Sequence, residues 1–208
     1  MKRKLIYIGC ALLALFAFNA CEETDDSVEE YPNWQETNEN YFSSLYDQTL
    51  QKIAQGDKTW KVFKSWAVPD SIFRTTHEAY SDYIVVHVLN EGTSTSGSPL
   101  YSDSASVHYL GRLLPSTTYA DGYVFDKSFY GDYNPKTSTP TLLGVNSTVI
   151  GFSTALINMK IGDRWMVYIP YQLGYGEMGN GAEIPGYSTL IFDLTLEAFY
   201  RLDADKIY

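Results

Sequence analysis

From Tyr80 onward the chain is built of short apolar runs that glycines and prolines keep cutting. Tyr80 to Leu89 alternates around Ile84, Val86 and Val88 and ends at the turn signal Asn90-Glu91-Gly92. Ser104 to Leu114, Tyr123 to Phe125, Leu142 to Gly144, Trp165 to Ile169 and Thr189 to Phe199 are further short apolar segments that read as strands. The alternation at Tyr80 to Leu89, and the short length and turn boundaries of the others, specify strands. Only Thr154 to Lys160, stopped by Gly162, reads as a short helix inside this region. Five or six strands with one such helix, and no internal repeat, place the chain in the α+β class.

The first third has a different texture. Lys2, Arg3 and Lys4 precede an uncharged apolar stretch from Leu5 to Phe18, too short to span a hydrocarbon core of ~30 Å and suited to a signal-peptide h-region. It ends at Phe18-Asn19-Ala20-Cys21, which resembles a bacterial lipobox, so Cys21 is the expected lipidation site. Residues 22–30 carry six acids and little to bury, an acidic tether. Phe42, Leu45, Tyr46, Leu50 and Ile53 then lie at helical spacing, predicting an amphipathic helix over 34–55 that Gly56 terminates. The expected organisation is a signal at 1–20, a tether at 21–32, a helix and lead-in at 33–79, and the strand-rich domain at 80–202. Such a protein is anchored to the cell envelope, at the outer membrane, by its lipid.

Composition removes several function classes. Hydrophobic residues make up 45% of the 208 and charged residues 19%, so the chain is globular. Its net charge is −10, or −13 once the signal's three cations are gone, which excludes nucleic-acid binding. Aromatics reach 15%, and 18 of them are Tyr, favouring sheet surfaces and a stacking pocket. With Cys10 in the signal and Cys21 lipidated, no disulfide, thiol chemistry or cysteine metal site is expected. His77, His87 and His108 have no zinc-helix spacing and read as surface or packing residues. Gly174-Tyr175-Gly176-Glu177-Met178-Gly179 matches a dinucleotide motif in form, but Pro170 before it and Pro185 after it forbid the strand and helix that motif needs. Those glycines suit a long loop folded over a site. No cofactor and no metal is expected.

Val107-His108-Tyr109-Leu110-Gly111 and Asp121-Gly122-Tyr123-Val124-Phe125-Asp126-Lys127-Ser128 open a series of motifs. It continues through Leu143-Gly144, Thr148-Val149-Ile150-Gly151-Phe152, Gly162-Asp163-Arg164, Leu173-Gly174-Tyr175-Gly176, Ile184-Pro185 and Thr189 to Leu194. Taken in order over about 115 residues, the series resembles the FKBP-type peptidyl-prolyl isomerases. The resemblance implies an antiparallel β half-barrel wrapped around one short helix, here with an extra N-terminal helix. It further implies an apolar proline well lined by Tyr109, Phe125, Val149, Phe152, Tyr175 and Phe192, with Ile184 on the loop above. Phe152 would form the floor, where the family usually has Trp, and Asp126 would sit at the rim. The Tyr175 hydroxyl and the Val149 N–H would each bind a substrate carbonyl.

The implied activity is cis–trans isomerisation of proline-containing segments of exported proteins, and the implied inhibitors are macrolides. Such an activity needs no nucleophile, only a dry pocket that favours the twisted imide. The chain departs from the pattern at Thr139 or Thr141, where an aromatic is usual, and at Asn180 and Glu183. Insertions lengthen 115–120 and 130–138. The alternative reading is a non-catalytic module of the same fold that holds a peptide or glycan.

Overall fold

A computed structural model describes residues 28–69, 79–131, 133, 134 and 137–201. The signal segment, Cys21, most of the acidic tether and His77 lie outside the described residues.

Helix α1 (Trp34–Ala54) leads into strand β1 (Trp60–Lys64). Then come β2 (Tyr83–Asn90), β3 (Ser104–Arg112), β4 (Val124–Lys127), β5 (Thr141–Gly144), helix α2 (Ile150–Leu156), β6 (Arg164–Ile169) and β7 (Leu190–Tyr200). The strands form one antiparallel sheet in the order β1-β2-β6-β7-β3-β4, and β5 also pairs with β3. β5 runs along the first half of β3 (Val107 opposite Thr141) and β4 along the second (Leu110 opposite Lys127). Together they make one broken edge strand.

Alternation assigns the two faces. Val86, Val167, Phe192 and Gly111 stand opposite one another across β2, β6, β7 and β3 and face the concave core with α2. His87, Met166, Asp193 and Leu110 face the other way. α2 lies close against this core, and Gly151 is what permits it: a Cβ there would stand 2.3 Å from Ile169 Cγ2.

Three expectations need correction. The short helix occupies Ile150–Leu156, four residues before the anticipated 154–160. Gly151 reads as a breaker in sequence, yet it is a contact residue inside the helix. Among the described residues the sheet has seven strands, because the lead-in segment supplies β1. And α1 docks through only part of its apolar stripe, at Phe42, with Trp34, Asn38 and Thr49 completing the buried face. Leu50 and Ile53 are exposed.

Hydrogen bonds decide that choice of face. Trp34 Nε1 donates to Ser188 Oγ at 2.8 Å, Asn38 Oδ1 accepts from Thr189 N at 2.7 Å, and Asn38 Nδ2 donates to the Trp34 carbonyl at 2.7 Å. At its far end α1 closes as anticipated. Gly56, at φ +89°, donates to Ile53 O and Asp57 N to Lys52 O, both at 3.0 Å, the paired bonds of a left-handed glycine cap.

The end of the acidic segment is also held. Glu30 accepts from Ser116 Oγ at 2.5 Å, from Thr118 N at 3.1 Å and from the Thr118 hydroxyl, pinning the 115–120 insertion beside α1. These donors hold the Glu30 carboxyl below its ordinary range.

Candidate active site

The concave side of the sheet opens between β3, β4, α2 and the long loop before β7. Here lies a cavity of about 350 Å³, within the range of pockets that take small organic groups. Each element contributes through its own geometry. β3 turns Tyr109 inward, β7 turns Phe192 inward, and α2 presents Phe152 from its first turn. The three rings form a nest of edge-to-face contacts. Phe152 and Phe192 centroids are 5.0 Å apart at 82°, Tyr109 and Phe152 5.9 Å at 84°, and Tyr109 and Phe192 6.2 Å at 65°. Edge-to-face packing of this kind fixes ring orientation as well as burying area.

Phe125 stands behind this nest and does not line the cavity; its ring meets Phe192 at 5.5 Å and 86°. Gly111 makes room for both rings, since a Cβ there would lie 2.6 Å from Phe192 Cε1 and 2.7 Å from Phe125 Cε2.

The rim is polar. Tyr109 Oη donates to Asp126 Oδ2 at 2.8 Å. Burial first, and this bond second, push the Tyr109 phenol above its ordinary range, so it remains a protonated donor at any physiological pH. Its backbone is locked as well: Tyr109 N donates to Ser128 Oγ at 2.9 Å, and Ser128 N to Tyr109 O at 3.0 Å. Asp126 is thus held by a ring that is itself held.

Val149 caps α2 with extended backbone (φ −60°, ψ 152°), and the first N–H groups of a helix have no carbonyl partner within it. Tyr175, about a third exposed, lines the other side. Its loop folds over through Gly176 N to Tyr171 O at 2.8 Å and Tyr187 N to Gly176 O at 3.0 Å. Ile184 belongs to that loop but points into the core at 3% exposure and is not part of the cavity wall.

Of the eight positions anticipated, Tyr109, Asp126, Val149, Phe152, Tyr175 and Phe192 converge on the cavity, and Phe125 and Ile184 support it from behind. Leu143, Ser147 and Thr148 also line it and were not anticipated. Leu143 and Thr148 sit inside quoted motifs; nothing in the sequence marks Ser147.

Residues 96–197 match the family model described as FKBP-type peptidyl-prolyl cis-trans isomerase. FK506-binding protein 2 of Kluyveromyces lactis is 33% identical over 122 residues, 59% of this chain and 81% of that protein. The chain belongs to this FKBP family. The FKBP-type 22 kDa peptidyl-prolyl cis-trans isomerase of Escherichia coli is 38% identical over 109 residues, 52% of this chain but only 46% of that one. The macrophage infectivity potentiator of Trypanosoma cruzi, 41% identical over 99 residues, shares 48% of this chain and 44% of its own length. This FKBP therefore spans about half the length of these two relatives. Among solved structures, FkpA from Escherichia coli superposes with a TM-score of 0.51 at 25% identity, covering 79% of this chain and 62% of that one.

Proposed function

We infer that this FKBP catalyses cis–trans isomerisation of peptidyl-prolyl bonds, and that its clients are exported or envelope proteins. The observation that carries the reading is the aromatic cavity with its locked Tyr109–Asp126 pair, in a chain of this family. The barrier to rotation is amide resonance, about 18–20 kcal/mol for a peptide bond. A proline ring seated between Phe152, Phe192 and Tyr109 places its imide in a water-poor environment. The planar imide is the more polar state, so such surroundings favour the twisted one, and binding that is stronger in the transition state lowers the barrier. Tyr175 Oη and Val149 N–H are the donors for carbonyls flanking the proline, and Asp126 marks the rim where the imide turns.

The test is a prolyl isomerisation assay on an Xaa-Pro peptide. Acceleration that Asp126→Leu diminishes without unfolding the chain is expected. Proline-peptide binding with no acceleration would instead establish a binding module, a reading that Thr139 and the two insertions would then explain.

Anchoring through Cys21 rests on the basic start, the apolar stretch and Ala20-Cys21. Cys21→Ala is expected to move the protein out of the membrane fraction or leave it unprocessed; unchanged fractionation would defeat the lipid anchor.

A further inference from the structure

The convex face of the sheet carries a second cavity that prolyl isomerisation does not use. Register sets His108, Leu110 and Arg112 of β3 opposite Thr195, Asp193 and Ile191 of β7, all facing away from the concave core. Phe129, Gly131 and Tyr133, which follow β4, line the same cavity. The Phe129 and Tyr133 rings lie 5.3 Å apart, and the Tyr133 ring stands 5.1 Å from the His108 imidazole. Beneath them is a space of about 280 Å³, bounded by Leu110 and Met166 on the sheet side.

Two features of its wall point to an occupant. The first is charge. Asp193 is matched by Arg164, whose Nε and Nη2 reach the two carboxylate oxygens at 2.9 and 2.6 Å. Arg112 also lines the cavity, yet among the described residues it has no carboxylate partner. An unmatched guanidinium beside aromatic walls, in a chain of net charge −10, suits a carboxylate on an aromatic body.

The second is a buried polar atom. His108 is 3% exposed, its Nε2 stands 4.0 Å from Glu197 Oε1, and among the described residues its Nδ1 has no hydrogen-bond partner. With the proton assigned to Nε2, toward that carboxylate, Nδ1 is an acceptor lacking a donor. Buried polar groups are nearly always satisfied. His108 itself lines the cavity, so a donor held there is the partner that Nδ1 lacks.

We propose that this cavity binds a small aromatic carboxylate bearing a hydroxyl or N–H at its other end, with the acid on Arg112 and the donor on His108. The experiment titrates 3-(4-hydroxyphenyl)propionate into the ¹⁵N-labelled full chain and follows amide shifts. Saturable shifts are expected at His108, Asp193 and Thr195, with Tyr175 and Val149 unmoved.

The alcohol analogue 3-(4-hydroxyphenyl)propan-1-ol is expected to bind about fivefold more weakly, and 3-phenylpropionate about threefold more weakly. Arg112→Gln is expected to erase the preference for acid over alcohol. The ligand series needs no variant, so the test stands even if that substitution unfolds the chain. Absence of saturable shifts at these amides up to about 10 mM ligand, shifts centred on Tyr175 and Val149, equal affinity for acid and alcohol, or an acid preference that survives Arg112→Gln would each overturn the proposal.

Discussion

At the scale of single residues, aromatic packing and rim polarity are separable. Phe152 and Phe192 are both core and pocket, so truncating either costs about 3–5 kcal/mol of stability along with any activity. The rim isolates function. Tyr175→Phe keeps the ring and removes one donor, so the rate is expected to fall roughly two- to tenfold. Asp126→Leu is expected to cost at least as much while leaving the melting temperature nearly unchanged; a large drop in Tm would show Asp126 to be structural. Gly111→Ala tests the opposite kind of position. Its methyl collides with Phe192 and Phe125, so a loss of about 1–3 kcal/mol in denaturant unfolding is expected. The rim was legible in sequence because Val124-Phe125-Asp126 puts a carboxylate where packing has no use for one. The inward turn of Ile184 was not legible. It depends on a loop closed by Asn180 N to Ile184 O at 2.8 Å, a contact that periodicity does not encode.

Among the elements, α1 shows the limit of reading amphipathicity. Its apolar stripe through Leu50 and Ile53 is half in solvent, and its docking is decided by Asn38 and Trp34. Asn38→Ala strands the Thr189 N–H in a buried site and is expected to cost about 1–3 kcal/mol. Thr49 offers the reverse experiment. It is fully buried, and among the described residues its hydroxyl has no partner. Thr49→Val keeps the shape and removes that polar atom, so a stability gain on the order of 1 kcal/mol is expected; a loss would mean the hydroxyl is satisfied in solution. β1 escaped the sequence reading for a related reason. Trp60 lies under Lys52 Nζ at 3.6 Å and stacks on His87 at 4.5 Å, while Phe63 stacks on Trp165 on the other side. With both faces partly covered, Trp60-Lys61-Val62-Phe63-Lys64 never shows the alternation that betrays β2. α2 was found but placed late, because Gly151 serves a contact with Ile169 that only the assembled fold creates.

For the molecule as a whole, the proposed chemistry moves no proton, and Tyr109 keeps its own far above neutrality. The isomerisation rate is therefore expected to be nearly flat from about pH 6 to 8, where a bell-shaped profile would signal general acid–base catalysis and overturn the mechanism. The sheet that carries the site has two free margins, and neither is a long uninterrupted strand. One is β1, five residues with Lys61 and Lys64; the other is split into β4 and β5 of four residues each. Unpaired strand edges are templates on which extended chains add and accumulate, and short, charged or broken edges discourage this. A protein whose proposed clients arrive unfolded meets that hazard at every encounter. If the proposed function holds, breaking the strand beside the pocket would let an extended client reach the cavity for its proline while denying it a ladder to join, so that the two would part again after each encounter.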